Sequence, residues 1–206
     1  MSRLGAILLA AGASERFGPR NKLLANIDGR PMVRVTADTL LGADCVDKVI
    51  VVTGHDASAI EDALKGLTVR FVFNSAWRNG LGGSVASGVA AVSRELDGVA
   101  IVPGDMPFLN SAVIDTLGAE FLKRDGAAIV FPATLAGRQR NPVLWPRRYF
   151  GLLEGLAGPQ GGKGLLGDLA GSWSAVPMSD ERVFRDVDTR DGLRAVSKVV
   201  VPSERA

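Results

Sequence analysis

Residues 5–24 have the sequence GAILLAAGASERFGPRNKLL. Residues 5–10 are a short apolar run, and a loop of small and charged residues follows directly. A short apolar run that ends in such a loop is typical of a buried strand in an α/β sheet. The sequence therefore predicts a first core strand over residues 5–10, rather than a secretion signal, with a functional loop at its carboxyl end.

The rest of the chain repeats this alternation of short apolar runs and helical patterns. Further strands are predicted over residues 48–53, 69–74, 99–103 and 127–133. Apolar residues at three- and four-residue spacing predict helices over residues 32–41, 57–64, 84–96 and 111–123. Two short helices joined by a glycine-rich loop are expected within residues 151–171. The alternation predicts a Rossmann-like α/β fold, a mostly parallel mixed sheet with helices on both faces.

Length and composition restrict the class of protein. The 206 residues are 47% hydrophobic and 22% charged, which excludes intrinsic disorder and favours a single domain over residues 1–206. A net charge of +2 is too small for a general nucleic-acid binder. No apolar stretch reaches the roughly 18 residues of a membrane-spanning helix. We expect a cytoplasmic protein that binds neither nucleic acid nor membranes.

The chain has one cysteine, Cys45, and one histidine, His55. This composition excludes an internal disulfide and a metal site built from several thiolates or imidazoles. Any catalytic metal must therefore be held mainly by oxygen. Cys45 is interpreted as a buried small residue and His55 as a hydrogen-bonded loop residue, and neither is assigned to the site.

The loop after the first strand is the first candidate for chemistry. Its small residues expose backbone N–H groups that can surround a triphosphate, and Arg16 and Lys22 add positive charge. Its glycines, Gly12 and Gly18, lack the spacing of a dinucleotide-binding fingerprint, and the ending of a P-loop is absent. The alternative is an ordinary surface loop.

A carboxylate follows the fourth predicted strand in the segment PGDMP, residues 103–107. Asp105 would lie at the carboxyl edge of the sheet, where it suits Mg²⁺. Its alternative role is to cap the next helix, but Asn110 and Ser111 are better placed for that.

A second carboxylate is expected from residues 186–191, because Asp186 and Asp188 fall on one side of an extended segment. There the alternative is a solvated turn.

Three further segments combine glycines with polar or basic residues. In NSAWRNGLGGS, residues 74–84, the glycines allow a close backbone approach to a ligand, and Ser84 can donate to a base or phosphate. The alternative makes Trp77 a core anchor beside a flexible turn. The segments 137–145 and 158–163 carry basic residues that suit an anionic substrate, with a solvated basic loop as the alternative.

The motif LAAG-x-S-x-RFG followed by NKLL resembles the MobA-like nucleotidyltransferases, especially the molybdenum cofactor cytidylyltransferases. The segments GDMP, N-x-x-W-x-x-G-x-x-x-S-x-x-x-G and the late Asp188-Thr189 match family motifs in the same order, over nearly the whole chain. The match is partial after Thr189, where the family more often has Pro and an acidic residue and this chain has Arg190. It is also partial at Pro159 and Gln160, where the family often has an acidic residue and an arginine.

The resemblance implies a Mg²⁺-dependent reaction in which the phosphate of molybdopterin, or of its molybdenum-bearing form, attacks the α-phosphate of CTP. It requires no protein nucleophile. The implied catalytic residues are Arg16, Lys22 and Asp105. The implied nucleotide-binding residues are Leu9, Ala10, Ala11, Gly12, Ser14, Arg16, Lys22, Asn74, Gly80, Ser84 and Asp105. The implied acceptor-binding residues are Arg138, Arg140, Asn141 and Lys163, and the implied Mg²⁺ ligands are Asp105 and Asp188. The N-terminal part would bind nucleotide and roughly residues 105–200 the acceptor.

Three alternatives remain at this stage. The nearest is guanylyl transfer to the same pterin cofactor. A second is nucleotidyl transfer to a sugar or alcohol phosphate. The third is a non-catalytic carrier that delivers the cofactor to a molybdenum hydroxylase client. Arg16, Lys22 and Asp105 argue against the carrier, which needs no site for triphosphate and metal.

Overall fold

The computed structural model describes residues 3–18 and 20–185. Its strands are β1 (Leu4–Ala10), β2 (Asn26–Ile27), β3 (Arg30–Pro31), β4 (Val46–Thr53), β5 (Arg70–Phe73), β6 (Gly98–Pro103), β7 (Ile129–Thr134), β8 (Val143–Pro146) and β9 (Trp173–Met178). Its helices are α1 (Met32–Leu41), α2 (Ala57–Ala63), α3 (Leu81–Ala90), α4 (Ser111–Lys123), α5 (Phe150–Glu154) and α6 (Leu165–Asp168).

Seven strands form one sheet in the order β5-β4-β1-β6-β8-β7-β9, and β2 and β3 form a separate antiparallel pair. Strand β1 pairs in parallel with β4 and β6, β4 with β5, and β7 with β9. Strand β8 runs antiparallel between β6 and β7. The predicted Rossmann-like α/β fold, with a mostly parallel mixed sheet, is confirmed.

Both faces of the sheet are buried. On β1, Leu4, Leu8 and Ala10 belong to the core that includes α1 and α4, whereas Ile7 and Leu9 belong to the core that includes α3 and α5. All seven residues of β1 are buried. This explains why the strand is a continuous apolar run rather than an alternating one.

The five predicted strands are confirmed within two residues at each end, and the two short helices within residues 151–171 are present. The helix predicted over residues 84–96 was misplaced, since α3 begins at Leu81, directly after Gly80 at φ 110°, and ends at Ala90. Strands β2, β3 and β8 were missed because they are only two to four residues long, and β9 was missed because its partly exposed residues do not form a continuous apolar run. Within the described residues, every helix is too short or too polar to cross a lipid bilayer.

Candidate active site

A cavity of about 460 Å³ lies at the carboxyl ends of the parallel strands, and we call it the inner cavity. The loops after β1 and β6 and the start of α3 form it. Its lining residues are Leu9, Ala11, Gly12, Ser14, Lys22, Leu23, Trp77, Gly80, Leu81, Ser84, Pro103, Gly104 and Asp105. Three segments that the sequence singled out separately therefore meet at one place.

Lys22 and Asp105 form an ion pair in this cavity, with Nζ 2.6 Å from Oδ2. Both side chains are largely buried, at 12% and 18% exposure. The loop that carries Asp105 is bonded to the end of β1, because the Gly104 N–H donates to the Leu9 carbonyl at 3.0 Å. A Cβ on Gly104 would lie 2.9 Å from that same oxygen, so this position requires glycine.

Asn21 holds the turn that carries Lys22. Its Oδ1 accepts from the Leu23 N–H at 3.0 Å, and Ser14 Oγ donates to the same oxygen at 3.4 Å. Its buried Nδ2 has no hydrogen-bond partner among the described residues. The sequence analysis did not assign Asn21, although an asparagine before a helical turn is a typical N-cap.

Asn74 and Ser84 form a buried polar pair between the end of β5 and α3. The Asn74 Nδ2 donates to Ser84 Oγ at 3.1 Å, and the Asn74 Oδ1 accepts from the Ala76 N–H at 3.0 Å. Ser84 lines the inner cavity, whereas Asn74 lies behind it. Asn74 thus orients Ser84 rather than lining the cavity.

The glycines before α3 make a close approach to another part of the chain. A Cβ on Gly80 would collide with the carbonyl of Gly158, and one on Gly82 would lie 2.8 Å from the Ala157 backbone. The Gly82 N–H donates to the Gly158 carbonyl at 3.0 Å. Gly80 still lines the inner cavity, but its lack of a side chain is already required by this packing.

A second cavity of about 710 Å³, the outer cavity, adjoins the first. Its lining residues are Ala13, Ser14, Glu15, Phe17, Lys22, Trp77 and Arg78, of which Ser14, Lys22 and Trp77 also line the inner cavity. Trp77 is therefore a site residue that the sequence analysis left undecided. The His55 ring meets its edge at a centroid distance of 5.0 Å.

A third cavity of about 420 Å³, the apolar cavity, lies on the other side of Leu81. Leu9, Leu81 and Pro103 line both this cavity and the inner one. Its further lining residues are Val85, Ile101, Asn141, Val143, Trp145, Gln160, Gly161, Gly162, Lys163 and Gly164. Asn141 and Lys163, two of the predicted acceptor-binding residues, are brought together here.

Other predicted site residues lie elsewhere. Ala10 is fully buried in β1, Arg138 is exposed in the loop after β7, and Arg140 lies 3.9 Å from Glu181. None of these three lines the three cavities. The side chain of Arg16 and the predicted carboxylates Asp186 and Asp188 lie outside the described residues.

Asp105 is the carboxylate of the inner cavity. Within residues 3–18 and 20–185, no group of three or more His, Cys, Asp and Glu side chains could hold a metal ion. Mg²⁺ often takes one or two carboxylates and completes its shell with phosphate oxygens and water. One carboxylate at the carboxyl edge of the sheet has the oxygen chemistry that such an ion requires.

Neither Cys45 nor His55 lines one of the three cavities. Cys45 is half-buried, and burial, with a smaller contribution from Asp115, raises the pKa of its thiol to about 12. His55 Nδ1 lies 2.9 Å from Asp56 Oδ2, and its backbone N–H donates to the Ala11 carbonyl at 3.1 Å. His55 thus ties the loop after β4 to the loop after β1.

Comparison with known proteins agrees with this geometry. The family model described as the MobA-like NTP transferase domain matches residues 6–173. The crystal structure of a homologue of Mycobacterium tuberculosis Rv0371c, from Mycobacterium sp. strain JC1, superposes with a TM-score of 0.82. It covers 96% of this chain and 98% of its own at 24% identity, which shows the shared fold.

Three curated relatives match over part of their length. The bifunctional protein GlmU of Agrobacterium fabrum is 37% identical over 113 residues, 53% of this chain and 24% of that protein. The 3-deoxy-manno-octulosonate cytidylyltransferase of Chlorobium phaeobacteroides is 33% identical over 120 residues, 57% of this chain and 47% of that protein. A "probable molybdenum cofactor guanylyltransferase" of Thermococcus gammatolerans is 32% identical over 127 residues, 62% of this chain and 61% of that protein. Each match covers less than two thirds of the relative.

Proposed function

This chain belongs to the MobA-like NTP transferase family, and from that premise we propose that it transfers CMP from CTP to the phosphate of a molybdopterin-type cofactor and releases pyrophosphate. The observation that carries the proposal is the inner cavity. It combines a loop of small residues at Gly12, a cation at Lys22, a hydroxyl in the first turn of α3 at Ser84 and a carboxylate at Asp105. This set matches the needs of a nucleotide with its metal.

The cavities suggest how the nucleotide lies. Gly80 and Ser84, at the start of α3, would contact the base and ribose. The α-phosphate would lie near Lys22 and Asp105. The β- and γ-phosphates would extend into the outer cavity, whose walls come largely from residues 13–17 of the loop after β1.

The residues act on this reaction by position and charge. No protein nucleophile is needed, since the acceptor phosphate itself attacks in line with the departing pyrophosphate. Lys22, with Arg16, would neutralise the negative charge that moves onto pyrophosphate. Asp105, with Asp188 as the expected second carboxylate, would hold Mg²⁺. When bound, that ion would withdraw charge from the phosphate oxygens.

The apolar cavity supports a ring-shaped acceptor. Trp145 and several aliphatic side chains line it, while Asn141, Gln160 and Lys163 supply polar groups. A sugar offers hydroxyl groups on all sides, whereas a pterin presents ring faces to an apolar wall and its nitrogens and carbonyl to polar groups such as Asn141 and Gln160. The cavity lies against the inner cavity, so a ring bound here could direct its phosphate toward Lys22.

The choice of CTP follows the resemblance of residues 9–24 to the molybdenum cofactor cytidylyltransferases, and the cytidylyltransferase of Chlorobium phaeobacteroides agrees with it. Guanylyl transfer to the same acceptor is the second candidate, favoured by the relative from Thermococcus gammatolerans. We also propose that a molybdenum hydroxylase receives the product as its cofactor.

The test is thermal stabilisation of the purified protein by CTP, GTP, ATP and UTP, each with Mg²⁺ and with a chelator. A ligand at 100 times its Kd that binds only the folded state adds about 2.7 kcal/mol. Mg²⁺-dependent stabilisation by CTP alone supports the proposal, and preference for GTP would transfer it to guanylyl transfer. If no nucleotide stabilises the protein and a pterin binds tightly, the non-catalytic carrier would replace the transferase as the proposed function.

A second assay separates the acceptors. Pyrophosphate release is measured with CTP and either molybdopterin or a hexose 1-phosphate. Release with molybdopterin alone is expected, and release with the sugar phosphate alone would contradict the assignment of the apolar cavity.

A further inference from the structure

Arg78 is a cation of the outer cavity that the resemblance does not assign. It lies in the short turn Trp77–Asn79 before α3, and its guanidinium carbon is 4.2 Å from the centroid of the Trp77 ring. Within the part of the chain that the structure describes, its side chain makes no ion pair or hydrogen bond. Its other neighbours on the cavity wall include Lys22 and Glu15.

Stacking on an aromatic ring leaves the edge of a guanidinium free. The guanidinium carbon lies over the Trp77 ring, and the N–H donors of a guanidinium held in this way can bind two phosphate oxygens at once. The stack also limits the rotamers of Arg78, so less side-chain entropy is lost when an anion binds.

The ring beneath Arg78 is itself held in place. A Cβ on Gly54 would lie 2.6 Å from Trp77 Cβ, and the His55 ring contacts the edge of the indole. Because the His55 N–H donates to the Ala11 carbonyl, this support is fixed to the loop after β1. Arg78 therefore has a defined position relative to the proposed phosphate loop.

Charge favours an anionic ligand in the outer cavity. The charged residues that line it are Lys22, Arg78 and Glu15, so the lining has one more positive than negative charge, and Lys22 also pairs with Asp105 of the inner cavity. The β- and γ-phosphates of a nucleoside triphosphate carry more negative charge than one cation can neutralise.

We propose that Arg78 binds the β- and γ-phosphates of the nucleotide and retains pyrophosphate as the leaving group. The inference rests on the proposed function, since it assumes that a triphosphate occupies the two joined cavities. It assigns to Arg78 a contact that depends on the terminal phosphates and not on the base.

The test measures binding of CTP, CMP and inorganic pyrophosphate, each with Mg²⁺, by calorimetry. The variants are R78A, R78K and the control R94A, which removes an exposed arginine after α3. In R78A, CTP and pyrophosphate should bind about tenfold more weakly, as expected for a lost hydrogen bond to a charged group. CMP binding should not change. R78K should recover only part of the affinity, and R94A should match the original protein.

The outcomes separate this inference from the proposed function. Equal CTP binding by R78A and the original protein would overturn the role of Arg78 and leave the nucleotide site intact. If R78A binds CMP and CTP with an equal loss of affinity, Arg78 contacts the nucleoside, and its assignment to the terminal phosphates is overturned. If the original protein binds no nucleotide, the proposed function fails and the contact of Arg78 with the nucleotide fails with it, even if R78A weakens pyrophosphate binding.

Discussion

Lys22 Nζ lies 2.6 Å from Asp105 Oδ2, although the two residues are 83 positions apart. They meet because β1 and β6 are adjacent parallel strands, whose following loops emerge at the same edge of the sheet. The pair places a cation and a carboxylate at the centre of the inner cavity. Each partner has a different expected role, so the two can be tested separately.

Replacing Lys22 with methionine should lower turnover about 100-fold or more, the scale seen when one stabilising donor is removed from a transition state. The variant keeps the aliphatic part of the side chain and should remain folded. Pyrophosphate release and thermal melting measure the two effects. Lys65→Met is the control, since Lys65 is exposed at the end of α2. Full activity of Lys22→Met would refute the assignment.

Replacing Asp105 with asparagine should weaken Mg²⁺-dependent binding of CTP, because the amide keeps the shape of the side chain but loses the charge that holds the ion. The measurement is a Mg²⁺ titration of CTP-induced thermal stabilisation. Asp62→Asn, at an exposed position of α2, is the matched control. An unchanged Mg²⁺ dependence would remove Asp105 from the metal site.

The sequence predicted that the segments carrying Lys22 and Asp105 would meet, because the carboxyl ends of parallel strands share one edge of a sheet. It could not decide the role of Trp77, since an aromatic residue beside glycines suits a core or a ligand site equally well. It also could not separate Asn141 and Lys163, which line a cavity, from Arg138 and Arg140, which do not. That difference depends on how the loops fold back against β8 and α3.

Gly88 belongs to the motif that the sequence matched, but the sequence could not show why a glycine stands there. In the structure its role is core packing. A Cβ at Gly88 would lie 2.6 Å from Ile7 Cγ2 and 2.9 Å from Val52 Cγ2, both in the buried core under α3. Gly88→Ala should therefore lower the free energy of unfolding by about 1–3 kcal/mol. Gly151→Ala, in α5 with open space around it, should be neutral or stabilising by up to about 1 kcal/mol. Urea unfolding measures both, and equal stability of the two variants would contradict the packing.

The fluorescence of Trp77 should report nucleotide binding, since its ring lines both the inner and outer cavities. CTP with Mg²⁺ should change the emission of the original protein and of Trp173→Phe. The ring of Trp173 packs on Phe131 and does not line the three cavities. Trp77→Phe should lose most of the change. A full response in Trp77→Phe would assign the signal to Trp145 and place the nucleotide in the apolar cavity.

The Cys45 thiol should be unreactive in the folded protein. Burial, and then the neighbouring Asp115 carboxylate, raise its pKa from about 9.0 to about 12, so at pH 8 the thiol is almost entirely protonated. The unfolded chain loses this proton at lower pH than the folded one, so the thiol lowers the stability of the fold as pH rises from about 9 toward 12.

Labelling of Cys45 by a disulfide reagent at pH 8 should be slow in buffer and fast in urea. Asp115→Asn should speed labelling of the folded protein, because it removes the charge that opposes the thiolate. Rapid labelling of the folded original protein at pH 8 would show that the thiol is accessible and ionised, contrary to its position against α4.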